Sequence, residues 1–175
     1  MSTVDDLISL VKSKNPPCLF HFTDLRNLDS IKQHGLLSAY QLAQRGIIAP
    51  APGGNDWSVD ADRLKGMHQF VHLCFWDEHP MEFVARQNNH IGETKFLRID
   101  PEILRTAGVK VTDDVSNKSD VEPMTLEQGV PTLDLEVIFK KTDWRNPEVQ
   151  ERLKASRKYE ILIPDAVPLS MIRNL

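Results

Sequence analysis

The chain has 175 residues, of which 41% are hydrophobic and 26% charged, and its formal net charge is −4. This composition is typical of one folded domain spanning residues 1–175, and it excludes a disordered or fibrous protein. No apolar run approaches the roughly 20 residues of a membrane-spanning helix, and the acidic N-terminus lacks the layout of a signal peptide. We therefore expect a cytoplasmic protein that does not enter a membrane.

The two cysteines and the distribution of charge along the chain further restrict the class of protein. Cys18 and Cys74 lie far apart in apolar surroundings, which predicts buried, reduced thiols and argues against a disulfide framework. No His or Cys pair has zinc-ligand spacing, so we expect no metal. Residues 140–158 carry seven basic side chains against three acidic ones. The net charge of this segment is +4, and that of the rest of the chain is −8. This distribution predicts a local basic surface.

Hydrophobic periodicity and capping signals predict alternating helices and strands. In chain order, the predicted elements are a helix over Val4–Lys14, a strand over Cys18–Phe22, a helix through Leu28 and Ile31 that ends at Gly35, a helix over Ala39–Arg45, a strand over Phe70–Trp76, a helix from Pro80 to Gln87, a strand over Lys95–Ile99, a helix over Pro101–Thr106, a strand over Val109–Val111, a helix over Pro147–Ser156 and a strand over Tyr159–Ile163. This order predicts a mixed α+β domain with a split, strongly twisted sheet.

Two segments of the chain show no clear periodicity. Residues 46–67 are predicted to form a loop, with Gly53-Gly54 as a turn, and residues 113–129 are predicted to be irregular. A loop of about 20 residues is unusual in a compact domain and is often functional.

Three polar residues are candidates for chemistry. His21 interrupts an apolar strand, so it is either a core histidine bound to a backbone group or a cleft residue. Arg63 is either a solvated surface charge or an anchor for a pyrophosphate, which its planar guanidinium suits. Glu160 lies in an apolar strand and is either an outward-facing residue or a carboxylate at a cleft wall, where it stabilises a cation or accepts a proton.

Four blocks of sequence resemble the DarT family, whose members are DNA ADP-ribosyltransferase toxins of bacterial toxin–antitoxin systems. The first block joins a His-Phe-Thr strand to a closing Gly-Leu-Leu, and the others follow it in the family's order. The blocks are Leu19–Ser38, Arg63–Met81, Leu97–Pro101 and Glu160–Ile172. The resemblance implies the ADP-ribosyltransferase fold, an α+β arrangement of two small packed sheets with peripheral helices and an NAD cleft.

The same resemblance implies roles for individual residues. Glu160 is the expected catalytic glutamate, and Arg63 is expected to contact the NAD pyrophosphate or to organise the acceptor. The residues expected to bind NAD are His21, Phe22, Thr23, Asn27, Gly35, Arg63, Phe75 and Met81. Phe75, Trp76 and Met81 are candidates for a flat nicotinamide slot, and each has an equally good alternative role in the core.

The basic segment before Glu160 is the expected path of a single-stranded DNA backbone. Such a path needs cationic side chains together with an aromatic platform. The residues expected to contribute are Trp144, Arg145, Arg152, Lys154, Arg157 and Lys158.

The sequence defines the acceptor of the ADP-ribosyl group less clearly than it defines the fold. Better-known family members carry Asn-Pro-Arg-Ser-Pro-Met where this chain has Trp76–Met81, so the arginine is missing. The expected acceptor is a thymidine or guanosine base of single-stranded DNA, and RNA or a protein side chain stays an alternative. The expected partner is a macrodomain antitoxin of the DarG type. Two further hypotheses are a nucleotide-binding module without catalysis and an NAD-consuming phosphotransferase that modifies RNA ends.

Overall fold

The computed structural model describes residues 3–53 and 56–175. The α-helices are α1 (Thr3–Lys12), α2 (Leu28–His34), α3 (Ala39–Gln44), α4 (Asp56–Lys65), α5 (Pro80–Gln87), α6 (Leu126–Gly129), α7 (Leu135–Phe139) and α8 (Pro147–Ser156). The strands are β1 (Leu19–Asp24), β2 (Leu36–Leu37), β3 (Phe70–Leu73), β4 (Thr94–Ile99), β5 (Lys110–Thr112), β6 (Met124–Thr125), β7 (Glu160–Pro164) and β8 (Ala166–Val167). Short 3₁₀ helices cover Leu25–Asn27, Met67–Gln69, Pro101–Arg105, Val130–Thr132 and Leu169–Met171.

The strands form small antiparallel sheets. The largest has the order β3-β7-β5-β6, while β1 pairs with β4 and β2 pairs with β8. A backbone bridge between Phe20 and Cys74 joins the β1–β4 pair to the end of β3, with N···O distances of 2.9 and 2.8 Å. The predicted α+β class with a split sheet is confirmed.

One apolar core holds these sheets and the surrounding helices together. Helix α1 contributes Leu7, Ile8 and Val11, and β7 contributes Ile161 and Ile163, all with 3% exposure or less. Burying such side chains is the main favourable term in folding. Cys18 and Cys74 are free thiols buried beside this core, as predicted. No helix within the described ranges is both long and apolar enough to cross a bilayer.

Two sequence predictions are corrected. The segment predicted as a loop contains helix α4, because the Gly and Pro residues that suggested a loop all precede Asp56. Gly54 and Asn55 lie outside the described residues, and so does half of the predicted Gly53-Gly54 turn. The segment predicted as irregular contains α6, whose start is a capping box formed by Thr125 and Gln128. That Thr-x-x-Gln spacing is a helix signal in the sequence.

Gly129, at the end of α6, packs directly against the sheet. A Cβ atom at this position would lie 2.3 Å from Cγ1 of Val111, a fully buried β-branched side chain that cannot move aside. We expect Gly129→Ala to lower the free energy of unfolding by about 1–3 kcal/mol, because overpacking displaces the surrounding core. Urea denaturation of the variant and the wild type measures this difference.

Gly53→Ala is the matched control, because a Cβ atom at Gly53 meets no other atom within 4 Å. The control is expected to unfold within about 0.5 kcal/mol of the wild type. Equal stability of the two variants would show that Gly129 is not packed against the sheet.

Candidate active site

A cleft of about 330 Å³ opens where β1 meets β3 and β7 of the larger sheet. This volume lies in the usual range for sites that bind small molecules. The cleft is lined by Glu160 and by six of the residues predicted to bind the cofactor, namely His21, Phe22, Thr23, Asn27, Gly35 and Met81. Folding therefore brings together the N-terminal and C-terminal blocks of the sequence at one site.

Glu160 is the first residue of β7 and lies opposite Thr112 of β5. Its side chain is only 8% exposed, although a carboxylate is costly to bury. The alternative that Glu160 faces solvent as an ordinary strand residue is therefore wrong. A carboxylate at the wall of a cleft is placed for chemistry on a bound ligand.

Three groups contact the Glu160 carboxylate. Antiparallel pairing of His72 with Leu162 places His72 on the same sheet face as Glu160, and Nδ1 of His72 lies 3.3 Å from Oε2. The backbone N–H of Ser116 donates to Oε2 at 3.0 Å. On the other oxygen, Nε2 of His79 lies 3.6 Å from Oε1.

These contacts set the protonation states. Burial by itself would raise the pKa of Glu160, but the hydrogen bond and charge of His72 outweigh it and lower the pKa to about 2. Burial would lower the pKa of His72, but the hydrogen bond with Glu160 and the negative charges of Glu160 and Asp62 raise it to about 9. At neutral pH the pair consists of a carboxylate and an imidazolium.

His21 lies on β1 at the junction of the two sheets. Its Nδ1 atom lies 2.8 Å from the backbone oxygen of His72, an acceptor, so Nδ1–H donates. Burial lowers the pKa of His21 to about 4, which keeps the ring neutral. Both interpretations of His21 therefore hold: it binds a backbone group, and it lines the cleft with Nε2 left as an acceptor.

Phe22, His79 and Met81 form one wall of the cleft. The rings of Phe22 and His79 are stacked with their centroids 5.8 Å apart. Nδ1 of His79 accepts the backbone N–H of Met81 at 3.2 Å and caps α5, so the proton of the neutral ring lies on Nε2. Burial lowers the pKa of His79 and keeps its ring neutral. A stacked, largely apolar wall of this kind suits a flat aromatic ligand.

Asn27 also lines the cleft, and its side chain holds the chain at Ala51. Its amide donates to the Ala51 backbone oxygen at 2.7 Å and accepts the Ala51 N–H at 2.9 Å. The same amide nitrogen donates to Oγ1 of Thr23 at 3.2 Å. Gly35 has φ +80°, and a Cβ atom there would lie 3.2 Å from the backbone oxygen of Val167, so this position requires glycine.

Phe75 and Trp76 do not line the cleft. Phe75 is fully buried and packs edge-to-face on Phe139 at 5.9 Å, so its predicted cofactor contact is corrected to a core role. Trp76 donates from Nε1 to Oγ of Ser156, and the ammonium of Lys14 lies 4.5 Å from its ring centroid. Phe75 follows the end of β3 and the bridge at Cys74, and its side chain is part of the main apolar core.

Arg63 lies at the rim of the cleft and not inside it. It is an exposed residue near the end of α4, whereas Val59, one helical turn earlier, and the neighbouring Asp62 both line the cleft. The structure thus leaves the predicted pyrophosphate contact of Arg63 as a prediction.

The basic segment around α8 lies outside the cleft. Trp144 is 66% exposed with the Arg145 guanidinium 5.8 Å from its ring centroid, which suits a surface contact. Arg152 instead binds Asp134 through two hydrogen bonds and also Glu136, so it holds α8 to α7. Among the six predicted nucleic-acid contacts, none is part of the cleft wall.

The C-terminal end of that segment does approach the site. Arg157 donates to Glu78 at 2.5 Å, and Glu78 precedes the cleft residue His79. Lys154 lies in the last turn of α8, and Lys158 follows the end of that helix. Burial by itself would raise the pKa of Asp114, but the hydrogen bond from Lys118 and the nearby charge of Lys158 lower it.

Four further residues line the cleft that the sequence does not predict as site residues, namely His72, His79, Ser116 and Asp62. A polar residue between buried Val71 and Leu73 was the available signal for His72, of the same kind as for His21. Ser116 gave no signal, because its position depends on Lys65, whose ammonium binds the backbone oxygens of Ser116, Lys118 and Val121. Within residues 3–53 and 56–175, no three His, Cys, Asp or Glu side chains are grouped so as to hold a metal ion.

Replacing the Asn27 amide tests how the segment before α4 is held. In Asn27→Asp, two oxygens replace the amide, so the backbone oxygen of Ala51 loses its donor and faces a carboxylate. We expect the free energy of unfolding to fall by about 1–3 kcal/mol, the usual effect of an unsatisfied buried group. We also expect the Ala51 amide to exchange its hydrogen faster, as measured by NMR.

Asn88→Asp is the control, since Asn88 is an exposed residue at the end of α5. Unchanged exchange at Ala51 in Asn27→Asp would show that the Asn27 side chain does not hold this segment.

The comparisons with known proteins agree with this geometry. No curated protein sequence matches the chain. Thermus sp. 2.9 DarT in complex with ADP-ribosylated ssDNA is similar in structure, with a TM-score of 0.64 and 19% identity over 91% of this chain and 80% of that one. The same protein in complex with NAD+ gives a TM-score of 0.57 and 20% identity over 91% and 81% of the two chains.

A second solved structure, Thermosipho africanus DarTG in complex with ADP-ribose, gives a TM-score of 0.66 and 18% identity over 89% of this chain and 42% of that one. At such low identity these likenesses establish the fold. The family model described as "ssDNA thymidine ADP-ribosyltransferase, DarT" matches residues 20–175. The match covers most of the sequence, and the chain belongs to the DarT family of NAD-dependent ADP-ribosyltransferases.

Proposed function

We propose that this chain transfers the ADP-ribosyl group of NAD to a thymidine base of single-stranded DNA, with Glu160 as its catalytic carboxylate. The observation that carries the proposal is the position of Glu160, buried and ionised at the wall of a cleft lined by six residues predicted to bind NAD. Membership of the DarT family supports both substrates.

The proposed reaction breaks the bond between the ribose carbon and the nicotinamide nitrogen. Nicotinamide leaves as a neutral molecule, a base nitrogen forms the new bond to the ribose carbon, and the proton of that nitrogen is released. The ribose carries positive charge as the bond breaks, as in glycoside hydrolysis. The Glu160 carboxylate stabilises this charge and accepts a hydrogen bond from a ribose hydroxyl.

The other cleft residues support binding. Phe22 and Met81 provide the wall for the flat nicotinamide ring, and the neutral His21 offers Nε2 as an acceptor. Thr23 and Asn27, which also line the cleft, are joined by a side-chain hydrogen bond. We propose that Arg63 reaches the pyrophosphate or the acceptor strand from the rim, because its guanidinium matches a phosphate oxygen pair.

The DNA strand is proposed to pass along the exposed part of the basic surface. Trp144 offers a stacking platform, and Arg145, Lys154 and Lys158 supply positive charge for the phosphates. Arg157 adds charge as well, although its guanidinium also binds the single carboxylate of Glu78. We leave Arg152 out of this path because its guanidinium is already bound to two carboxylates. Binding through phosphates predicts an affinity that falls as salt rises.

We further propose that a macrodomain antitoxin of the DarG type acts on the product of this chain. The similarity to a DarTG protein that binds ADP-ribose supports such a partner. Because NAD and DNA are both found inside cells, we expect the toxin and its antitoxin to act in the cytoplasm.

Glu160→Gln tests the catalytic assignment. The amide keeps the size of the side chain but removes the negative charge, so we expect the rate of transfer to fall by about 10²–10³-fold. The assay incubates the protein with labelled NAD and single-stranded oligonucleotides and follows labelled DNA. Glu82→Gln is the matched control, because Glu82 is also buried but does not line the cleft; equal loss in both variants would refute the catalytic role of Glu160.

The base is tested with oligonucleotides that contain a single kind of reactive base. Label is expected on strands that contain thymidine and not on strands without it. Label on guanosine alone would contradict the thymidine assignment, and label on protein or RNA without labelled DNA would contradict the acceptor class. Absence of NAD turnover with DNA, RNA or protein as the acceptor would favour a binding module without catalysis.

A further inference from the structure

The ring of His72 has an acceptor at each nitrogen. Nε2 lies 3.0 Å from the backbone oxygen of Met67, and Nδ1 lies 3.3 Å from Oε2 of Glu160. A carbonyl oxygen and a carboxylate oxygen cannot donate hydrogen bonds, so both contacts are favourable only when both ring nitrogens carry a proton. The Ser116 hydroxyl also lies 3.3 Å from Nδ1, and a hydroxyl can accept as well as donate.

The charged and titratable groups facing His72 favour the same state. Glu160 on β7 and Asp62 on α4 are acidic, and both act to keep a proton on the ring. The histidines His21 on β1 and His79 before α5 also face this region, and burial keeps each of them neutral. His68, next to Met67, is a further histidine of the cleft wall. The ammonium of Lys65 is bound to three backbone oxygens of the segment that carries Ser116.

The two oxygens of Glu160 are held unequally. Oε2 accepts from Ser116 N–H and faces the His72 ring, whereas the nearest polar group described for Oε1 is His79 Nε2 at 3.6 Å, longer than a normal hydrogen bond. Oε2 is thus fixed by two partners, and Oε1 retains its capacity to accept a hydrogen bond from a ligand.

We propose that His72 is a positioning residue of this site, an imidazolium that fixes Oε2 of Glu160 and so presents Oε1 to the ribose hydroxyl of NAD. This inference rests on the proposed catalytic role of Glu160. His72 does not touch the reacting atoms; it acts through the carboxylate, keeping it ionised and holding its rotamer.

The proposal gives the pH dependence a definite sign. The pKa of His72 is raised to about 9 in the folded protein, because the bond to Glu160 and the nearby negative charges outweigh burial. Its contribution to stability is therefore complete below its unfolded pKa of about 6.5 and is lost as the pH rises through about 9. The hold on Glu160 weakens over the same range, so the rate of transfer falls on the alkaline side.

The protonation state can be measured without any activity. Nitrogen-15 NMR of labelled histidine distinguishes an imidazolium, with both nitrogens protonated, from a neutral ring. We expect His72 to stay doubly protonated at pH 7.5 in the wild type and to titrate at least one pH unit lower in Glu160→Gln. A neutral His72 at pH 7.5 in the wild type would overturn the proposal, whether or not the protein modifies DNA.

The kinetic test uses His72→Gln, with His90→Gln as the control because His90 is an exposed residue outside the cleft. We expect kcat to fall on the order of 100-fold through misplacement of the carboxylate, with the KM for NAD little changed. We also expect the alkaline decline to disappear and the acid limb to move to higher pH, because Glu160 loses its cation.

The outcomes of this test separate two failures. A His72→Gln variant that keeps the wild-type pH profile would overturn the positioning role while leaving Glu160 catalytic. If the wild type transfers no label to any oligonucleotide, the proposed function is overturned. The NMR measurement would still decide the protonation state of His72. Should His72→Gln fail to fold, the titration of His72 in Glu160→Gln remains decisive.

Discussion

A carboxylate buried in a protein must be paired and hydrogen-bonded or it becomes protonated, and this constraint governs how the site is built. Glu160 is ionised because a cationic His72 and the Ser116 N–H contact the same oxygen. The negative charge is thus fixed before any ligand binds, and this preorganisation is what the proposed stabilisation of a positively charged ribose requires. The rest of the site positions these groups or closes the cleft around them.

The sheet provides the precision of this arrangement. Antiparallel register between β3 and β7 places His72 and Glu160 on one face, and the bridge from Phe20 to Cys74 adds His21 from the second sheet. Loop segments complete the site through specific anchors, Asn27 for the chain at Ala51 and Lys65 for the segment around Ser116. Groups held on strands and by buried anchors keep their geometry better than groups on free loops.

Some basic side chains of this surface form ion pairs that hold the fold together, and others remain available to bind a ligand. The guanidinium of Arg152 is bound to Asp134 and Glu136, and its pKa is raised because hydrogen bonds to those carboxylates favour the charged form. Trp144 and Arg145 instead remain exposed in the segment that precedes α8. A count of basic residues in the sequence cannot make this distinction, since the acidic partners Glu136 and Asp134 lie 16 and 18 residues earlier in the chain.

The sequence by itself determined the α+β class and most of the strands, because hydrophobic periodicity is a local property of the chain. It also indicated Glu160 and His21 as candidates, through polar side chains in apolar strands and the resemblance to the DarT family, and both residues line the cleft. The capping box of α6 is also a local signal in the sequence, because Thr125 and Gln128 are three residues apart. Only the tertiary structure decided that Phe75 belongs to the core, that α4 follows the Gly and Pro residues, and that His72 pairs with Glu160. These outcomes depend on strand register and on contacts between residues up to 88 positions apart, which no local pattern encodes.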